Sequence, residues 1–511
     1  MDKLSFMAIY PEIFLLVMAS VILLVDVGSR AVLRPLAYYL SLFTLAAVSV
    51  YYAVSLGAQI TPDFLGANTE IVQKFSGFSG TIVSDAMANA LKLFASIAVF
   101  VTLVYGRYYA AGSGLLARGG EFFVLALFLL LGLCILVSAG NMLTIYLGLE
   151  LLSLSTYGMV AMNRDHGKSI EAAIKYFVLG CIASGFLLFG ISLVYGATGQ
   201  LGLEGVFMSI MQQQQGLNPQ LLVLGLVLIV TAIGFKFSAV PFHMWAPDVY
   251  EGAPKVVTLL IAGASKFAAF GLILRLLVEG LAFMIPVWQQ MTLILAVASL
   301  LVGNLAAIAQ SNIYRMLAFS TIGHIGFILL GFSSGVMHGD IRGAGVAFSA
   351  ALFYTVIYVL GSLAAFGVLL HLGRNGKEVQ NIQDLAGLGK TRPFMAMAMA
   401  VTLFSFAGIP PLAGFFAKFG VLQPLLASDT GLYIGVGIFA ILMALIGCFY
   451  YLRIVKIMYF DAPTVDYPAP TGITQADILL GINTALLVAL GLMPDALIWL
   501  CAKAVYYTLG L

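Results

Sequence analysis

Long apolar stretches separated by short polar ones run through nearly the whole chain. A helix that crosses the hydrocarbon core of a bilayer needs roughly 20 apolar residues, because the core is about 30 Å thick and each residue rises about 1.5 Å. By this criterion the pattern predicts an all-α membrane protein with fourteen transmembrane helices. Their approximate bounds are 9–27, 37–56, 87–106, 122–139, 141–162, 170–196, 219–250, 256–279, 287–308, 314–335, 343–372, 393–427, 430–458 and 474–499.

Prolines interrupt two of the longest segments. Pro241 lies within 219–250, and Pro410 and Pro411 lie within 393–427. Each proline removes a helical hydrogen bond and clashes with the preceding turn, so helices 7 and 12 are predicted to be broken.

The order of features predicts an internal repeat. Pro241 and Pro411, and other corresponding features, lie 170 to 182 residues apart. Interrupted segments in corresponding positions are typical of transporters built from inverted repeats. The predicted organisation is three N-terminal helices in 1–120, two inverted five-helix repeats in 121–280 and 281–460, and helix 14 in 461–511.

Composition excludes a water-soluble protein. Of 511 residues, 62% are hydrophobic and 9% are charged, whereas soluble domains carry about 25% charged residues. The mean hydropathy is +1.05. A net charge of +2 does not indicate nucleic-acid binding, and the four cysteines have no metal-binding spacing. The chain is therefore predicted to be an integral membrane protein.

The distribution of lysine and arginine predicts the orientation. Fourteen of these bases lie in or beside loops that follow odd-numbered helices, and five lie on the opposite side. Cytoplasmic loops carry the excess of bases, so both termini are predicted on the non-cytoplasmic side.

Several ionisable residues lie within the apolar segments. Such residues cost at least a few kcal/mol in the membrane and are usually paired or placed on an ion pathway. Desolvated lysines and carboxylates shift their pKa toward neutrality, and histidine titrates near neutral pH, so these side chains can carry protons. A single deep acid favours protons over sodium or potassium. The candidates are Glu150, Lys175, Lys236, His243, Lys266, His324 and Lys418.

Each candidate also has a structural interpretation. The deep charges can pair for assembly alone, and both histidines can be hydrogen-bonded structural residues. Lysines near helix ends extend their ammonium groups to the lipid headgroups, which is the interpretation for Lys92 and one alternative for Lys175. Arg275 and Arg315 are expected to be anchors near segment ends.

The segment from Gly234 to Pro254 carries the most specific motif, GFKFSAVPFHMWAPDVYEGAP. Supporting motifs between residues 147 and 420 are LGLELLSL, EAAIKYF, ASK, SNIYRMLAFSTIGHIG and LFSFAGIPPLAGFFAKF. Together they resemble the antiporter-like subunits of respiratory complex I, the proton-pumping NADH:quinone oxidoreductase of bacteria, and most closely its N-type branch. The chain contains no Walker A motif or dinucleotide-binding fingerprint, so its driving force is expected from an ion gradient or a partner.

The resemblance implies which residues act. The family's acid on the fifth helix falls on Glu150, and its lysines fall on Lys175, Lys236, Lys266 and Lys418. A lysine at 418 fits the N-type branch, because M-type subunits are expected to have glutamate there. Unlike L-type subunits, the chain does not continue into a long lateral helix.

Lys255 departs from the family pattern, which more often has a small or polar residue at this position. It is expected to add a surface charge and to leave the mechanism unchanged.

The resemblance also implies the surroundings of the chain. NADH, FMN, iron–sulfur clusters and quinone are expected in partner subunits, so this chain holds no redox centre and binds no cofactor, although the complex is a translocase of the EC 7.1.1 class. Expected partners are the M-, L-, K-, J-, A- and H-type membrane-arm subunits and the peripheral NADH-oxidising arm. The expected location is the bacterial cytoplasmic (inner) membrane, with periplasmic termini.

The leading hypothesis is proton translocation coupled to electron transfer from NADH to quinone elsewhere in the complex. Glu150 and Lys236 would form a gated pair, Lys266 a central relay and Lys418 the exit, with Lys175, His243 and His324 assisting. The alternatives are an Mrp-type cation/proton antiporter or membrane-bound hydrogenase-complex subunit, and a non-conducting scaffold whose buried charges only pair for assembly.

Overall fold

Helices account for most of the computed structural model. It describes residues 6, 8–28, 34–61, 74–113, 115, 119–212, 217–335, 341–373, 378–465, 467 and 472–510. The first ten helices are α1 (Tyr10–Gly28), α2 (Arg34–Ile60), α3 (Ala86–Gly112), α4 (Glu121–Val137), α5 (Met142–Val160), α6 (Gly167–Thr198), α7 (Leu203–Met211), α8 (Pro219–Phe237), α9 (Trp245–Gly252) and α10 (Lys255–Ala262). The next ten are α11 (Ala264–Ile273), α12 (Ile285–Ile308), α13 (Ile313–Ser333), α14 (Ile341–Leu372), α15 (Leu388–Thr391), α16 (Pro393–Ala407), α17 (Ala413–Leu426), α18 (Gly431–Phe460), α19 (Gln475–Leu492) and α20 (Asp495–Leu509).

Within these ranges, twelve spans are long and apolar enough to cross a membrane. Three further apolar helices, α4, α16 and α17, are shorter. The chain is therefore a multi-pass helical membrane protein, as its hydropathy predicted. Some loop bases behind the orientation prediction, among them Arg30, Arg118, Arg374 and Lys377, lie outside the described residues.

Asparagine caps begin several helices. The side chain of Asn218 accepts hydrogen bonds from the backbone N–H groups of the first turn of α8, and Pro219 occupies the first helical position. Asn141 and Asn312 cap α5 and α13 in the same way. Each of these two also forms an isolated antiparallel bridge, Asn141 with Gly202 and Asn312 with Asn381. An asparagine N-cap that also forms a β-bridge thus occurs in each half of the chain.

Both long segments that contain internal prolines are interrupted. Helix α8 ends at Phe237, Ser238 adopts a left-handed conformation with φ +64°, and α9 begins at Trp245. Helix α16 ends at Ala407, Gly408 has φ +83°, and α17 follows. Proline lacks the N–H that would continue the helical ladder, so each interruption leaves backbone carbonyls without helical partners.

The structure differs from the predicted segments in detail. The predicted segment 474–499 is divided at Pro494 into α19 and α20. The predicted segment 256–279 consists of α10, α11 and a π-helical stretch, Leu274–Gly280. The sequence did not predict α7 or the antiparallel hairpin of β1 (Lys74–Gly77) and β2 (Ile82–Asp85), because these elements are too short for a clear periodicity.

Close glycine contacts join α4 to α5. A Cβ atom on Gly132 would lie 2.5 Å from the backbone nitrogen of Leu152 and 2.7 Å from the carbonyl oxygen of Gly148. A Cβ atom on Gly148 would lie 2.6 Å from the nitrogen of Leu136. Small residues allow two helix backbones to approach in this way, which is a main source of helix association in membranes.

Gly132→Ala is expected to destabilise the protein by about 1–3 kcal/mol, because the added methyl group overlaps the backbone of α5. Gly185→Ala on α6 is the matched control, since a Cβ atom there meets nothing within 4 Å. Thermal unfolding in detergent, followed by size-exclusion chromatography, should show a lower midpoint for the first variant and an unchanged or raised midpoint for the second. Equal midpoints would contradict this packing.

Candidate functional site

Helices α5 and α8 bring the deep acid and the first deep lysine to one site. The ammonium nitrogen of Lys236 donates to Ser153 Oγ at 2.5 Å and lies 5.8 Å from the centre of the Tyr157 ring. Glu150 is one helical turn before Ser153 and interacts electrostatically with Lys236. Among the described residues, Glu150 Oε1 is buried without a hydrogen-bond partner. The hydroxyl group of Ser153 itself donates to the carbonyl oxygen of Leu149, so the carboxylate and the ammonium lie near each other without direct contact.

The interruption after α8 explains the position of two lysines. Lys236 lies in the last turn of α8, where the helix dipole and the free carbonyls favour a cation. Lys266, on α11, is completely buried, and its ammonium nitrogen is 3.5 Å from the carbonyl oxygen of Phe237. The ammonium groups of both lysines thus lie near the C-terminal end of α8.

The interruption between α16 and α17 holds a third lysine. The ammonium nitrogen of Lys418 donates to the carbonyl oxygen of Ala407 at 2.9 Å and lies 5.4 Å from the centre of the Phe327 ring. Phe237 and Ala407 are each the last residue before the left-handed position of an interrupted segment. Lys266 and Lys418 therefore make the same kind of contact at the two breaks.

His324 lies between two tyrosine hydroxyl groups. Its Nδ1 is 2.8 Å from the hydroxyl oxygen of Tyr354, and its Nε2 is 3.0 Å from that of Tyr451. Tyr451 also hydrogen-bonds to Ser320. A neutral imidazole has one donor and one acceptor nitrogen, so both nitrogens are satisfied in either tautomer. This arrangement is compatible with a structural histidine and with a proton relay.

His324 and Lys418 face a common cavity. Its walls include Tyr354, Tyr358 and Phe406. The volume of about 10 Å³ accommodates about one water molecule.

Lys175 is not part of the Glu150 site. Its ammonium group pairs with Asp248 at 2.7 Å and with Glu171 at 2.6 Å, and its side chain is 43% exposed. Asp248 also pairs with Arg315 at 2.7 Å. Sequence reasoning had not singled out Asp248, although it lies in the most specific motif, and had interpreted Arg315 as an anchor. The guanidinium group of Arg315 joins the acids of α9.

Glu251 completes this ion-pair network just beyond the predicted segment 219–250. Its carboxylate accepts from Lys168 at 3.0 Å and from Arg315 at 3.2 Å. Burial alone would raise the pKa of Glu251, but the hydrogen bonds and charges of Lys168 and Arg315 lower it below its usual value. Glu251 therefore stays ionised at neutral pH.

His243 lies in the interruption between α8 and α9. Its ring centre is 6.4 Å from that of Phe319, and its Nδ1 has no hydrogen-bond partner among the described residues. Helix α8 ends at Phe237, so His243 does not continue the helical face of Lys236.

Two bases near segment ends are buried. Lys92 was expected to reach the headgroups, but its side chain is 2% exposed and pairs with Glu12 at 2.5 Å. Arg275 was expected to be an anchor, but its side chain is 1% exposed and pairs with Asp85 at 2.7 Å and Glu279 at 2.8 Å. Neighbouring helices bury both side chains. The distance of a residue from the end of its helix does not predict this burial.

The burial of Lys255 also differs from the prediction. This lysine was expected to add a surface charge, but the residue is 6% exposed. Its ammonium nitrogen donates to the carbonyl oxygen of Glu251 at 2.5 Å and lies 4.3 Å from the centre of the Tyr314 ring.

Known proteins resemble this chain over most of its length. Residues 139–444 match the family described as NADH:quinone oxidoreductase/Mrp antiporter, TM. NADH-quinone oxidoreductase subunit N from Polaromonas naphthalenivorans is 51% identical over 506 residues, which cover 99% of this chain and 98% of the relative. The same subunit from Nitrosomonas europaea is 47% identical over 505 residues, covering 99% of each chain.

Solved structures share the fold. A chain of respiratory complex I from Thermus thermophilus aligns with a TM-score of 0.76 and 28% identity, covering 96% of this chain and 98% of that chain. A chain of the Mrp complex from Dietzia sp. DQ12-45-1b aligns with a TM-score of 0.77 and 19% identity, covering 98% and 97%, and shows the fold alone. On the family match and these full-length relatives, the chain belongs to the NADH-quinone oxidoreductase subunit N family.

Proposed function

We propose that this chain is a proton-translocating membrane-arm subunit of a bacterial NADH:quinone oxidoreductase. The observation that carries the proposal is the Glu150–Ser153–Lys236 arrangement between α5 and α8. An acid and a base that interact electrostatically can exchange a proton through water, and a change in the charge of one shifts the proton affinity of the other. Full-length relatives that are subunits of such an oxidoreductase support the same function.

The proposed path uses the two helix interruptions. Glu150 and Lys236 form the gated pair, Lys266 is the central relay, and Lys418 is the exit. At the second interruption, the cavity between His324 and Lys418 supports a water-mediated transfer. Lys175 and His243 assist, Lys175 through its ion pair with Asp248.

The proposed architecture has fourteen transmembrane helices in two inverted repeats, 121–280 and 281–460, preceded by three helices in 1–120 and followed by helix 14 in 461–511. The twelve long spans, with α4 and the interrupted α16–α17 pair, support the helix count. The bridges of Asn141 and Asn312 and the two interruptions support the repeat.

The proposed setting follows from the family. The partners are the M-, L-, K-, J-, A- and H-type membrane-arm subunits and the peripheral arm. The redox cofactors NADH, FMN, iron–sulfur clusters and quinone act in those partners, so this chain itself is a proton carrier. The proposed location is the inner membrane, with both termini in the periplasm.

Lys236→Ala and Glu150→Gln in the assembled complex are expected to lower proton pumping driven by NADH at least about tenfold, because each removes one proton carrier of the gated pair. Lys456→Gln is the matched control, since Lys456 has a 64% exposed side chain and pairs with nearby Asp461. Membrane vesicles are assayed for pH-gradient formation and for NADH oxidation, after assembly has been checked on native gels.

Normal pumping by an assembled Lys236→Ala complex would refute the proposed function. It would favour the scaffold hypothesis, in which buried charges serve assembly alone. The antiporter alternative is tested by purification of the tagged chain. Recovery with NADH-oxidising subunits supports the proposal, whereas recovery with an antiporter or hydrogenase complex that lacks them contradicts it.

Fusions to alkaline phosphatase test the orientation. The enzyme is active only outside the cytoplasm, so a fusion after Leu511 is expected to be active and a fusion after Asp461 to be inactive. Green fluorescent protein at the same positions should give the opposite pattern. Activity of the Asp461 fusion alone would reverse the proposed topology.

A further inference from the structure

A large polar cavity lies beside α3, the beginning of α6 and the end of α9. Its volume is about 1010 Å³. The cavity lies at the ends of segments where the loops are rich in lysine and arginine, which is the proposed cytoplasmic side. Charged residues that line it include Arg164, Asp165, Lys168, Glu251, Lys255 and Glu378. Carboxylates and bases mixed in this way can collect protons and do not select an anionic ligand.

Lys255 is the buried base of this cavity. It is the first residue of α10, where the helix dipole disfavours a cation. The charges that act on it are those of Glu378, Glu251 and Lys168. Its ammonium group forms no ion pair within the described part of the chain and contacts only the carbonyl of Glu251 and the ring of Tyr314. A cation that is buried, unpaired and at the unfavourable end of a helix costs stability, so assembly alone does not account for it.

A carboxylate stands next to Lys255. The hydroxyl group of Tyr109 donates to Glu378 Oε1 at 2.7 Å and accepts from the backbone N–H of Lys255 at 3.2 Å. Glu378 and Lys255 both line the cavity. The carboxylate can therefore exchange protons with water on one side of the lysine.

Hydroxyl groups also lie between this side of the protein and the centre of the second repeat, and no described hydrogen bond joins the Lys255 ammonium group to them. Tyr250, on α9, precedes Glu251 in the chain. Its hydroxyl group lies near Tyr358 and Thr321 and has no hydrogen-bond partner among the described residues. Tyr358 donates to Thr321 Oγ1 at 2.8 Å, and its ring centre is 5.2 Å from that of His324. His324 is one helical turn beyond Thr321 on α13. Polar groups thus extend from the cavity side to the cavity shared by His324 and Lys418.

We propose that Lys255 is a proton-uptake base that receives protons from this cavity and passes them through Tyr250, Tyr358 and Thr321 to His324. The proposal rests on the proposed function, because it adds an uptake path to the same translocation. The neutral amine of Lys255 accepts a proton from the Glu378 carboxyl group or from water, and the ammonium then releases it to the hydroxyl chain. Each transfer moves a proton from an O–H or N–H group to a neighbouring lone pair, and water molecules link groups that are not in contact.

Lys255→Arg and Lys255→Ala distinguish proton uptake from a structural charge. Arginine retains the positive charge but does not release its proton, since its pKa exceeds about 12. Both variants are therefore expected to lower NADH-driven pumping several-fold in assembled complexes, with a steeper decline between pH 6 and pH 8 than in the wild type, because uptake limits the rate when protons are scarce. Lys456→Gln serves again as the control. Restoration of the wild-type rate and pH profile by arginine would overturn the proposal.

Tyr358→Phe tests the path beyond the lysine. The change removes one hydroxyl group, so assembly is preserved and pumping is expected to fall. Tyr195→Phe on α6 is the matched control, because Tyr195 is 48% exposed. Unchanged pumping by Tyr358→Phe would remove the hydroxyl chain from the path.

The lysine variants separate the two proposals. If Lys236→Ala abolishes pumping while the Lys255 variants pump normally, only the uptake path fails. If Lys236→Ala also pumps normally, the proposed function fails.

Discussion

The cost of holding a positive charge inside an apolar helix bundle governs this structure. An ammonium group that leaves water must find carbonyl, hydroxyl or carboxylate oxygens, and a continuous helix offers none because its backbone is already paired. The interruptions after Phe237 and Ala407 release those carbonyls. Lys266 and Lys418 use them directly, at 3.5 and 2.9 Å. Breaks that would weaken an ordinary transmembrane helix thus provide the polar sites that these lysines require.

The contacts of Lys236 and Lys255 differ from those of the structural ion pairs. Arg275 has two carboxylate partners, and Lys92 pairs directly with Glu12. Lys236 instead donates to a serine hydroxyl, and Lys255 to a backbone carbonyl. A carboxylate partner favours the charged form of a base. A base that contacts only hydroxyl or carbonyl oxygens loses less interaction energy when it becomes neutral. The second kind of environment suits a residue that gains and releases protons.

The sequence predicted much of the fold, because hydropathy and helix length are local properties. Twelve of the fourteen predicted segments overlap described spans that are long and apolar enough to cross a membrane, and Pro241 and Pro411 lie in the observed interruptions. Shorter elements escaped this reasoning. The strands of the hairpin that ends at Asp85 are too short for their periodicity to distinguish them from a loop. The sequence around Pro494 did not distinguish two helices from one continuous helix.

By itself, the sequence determined that the chain is a membrane protein, which family it resembles and which ionisable residues lie deep in its apolar segments. Only the tertiary structure decided how those residues are grouped. It brought Lys236 to Ser153, one helical turn from Glu150, and it placed Lys175 with Asp248 in a separate ion-pair network. It also showed that Lys255 is buried. The physical reason is that position along a helix sets only the depth of a side chain, whereas the packing of neighbouring helices decides whether it faces lipid, water or another charge.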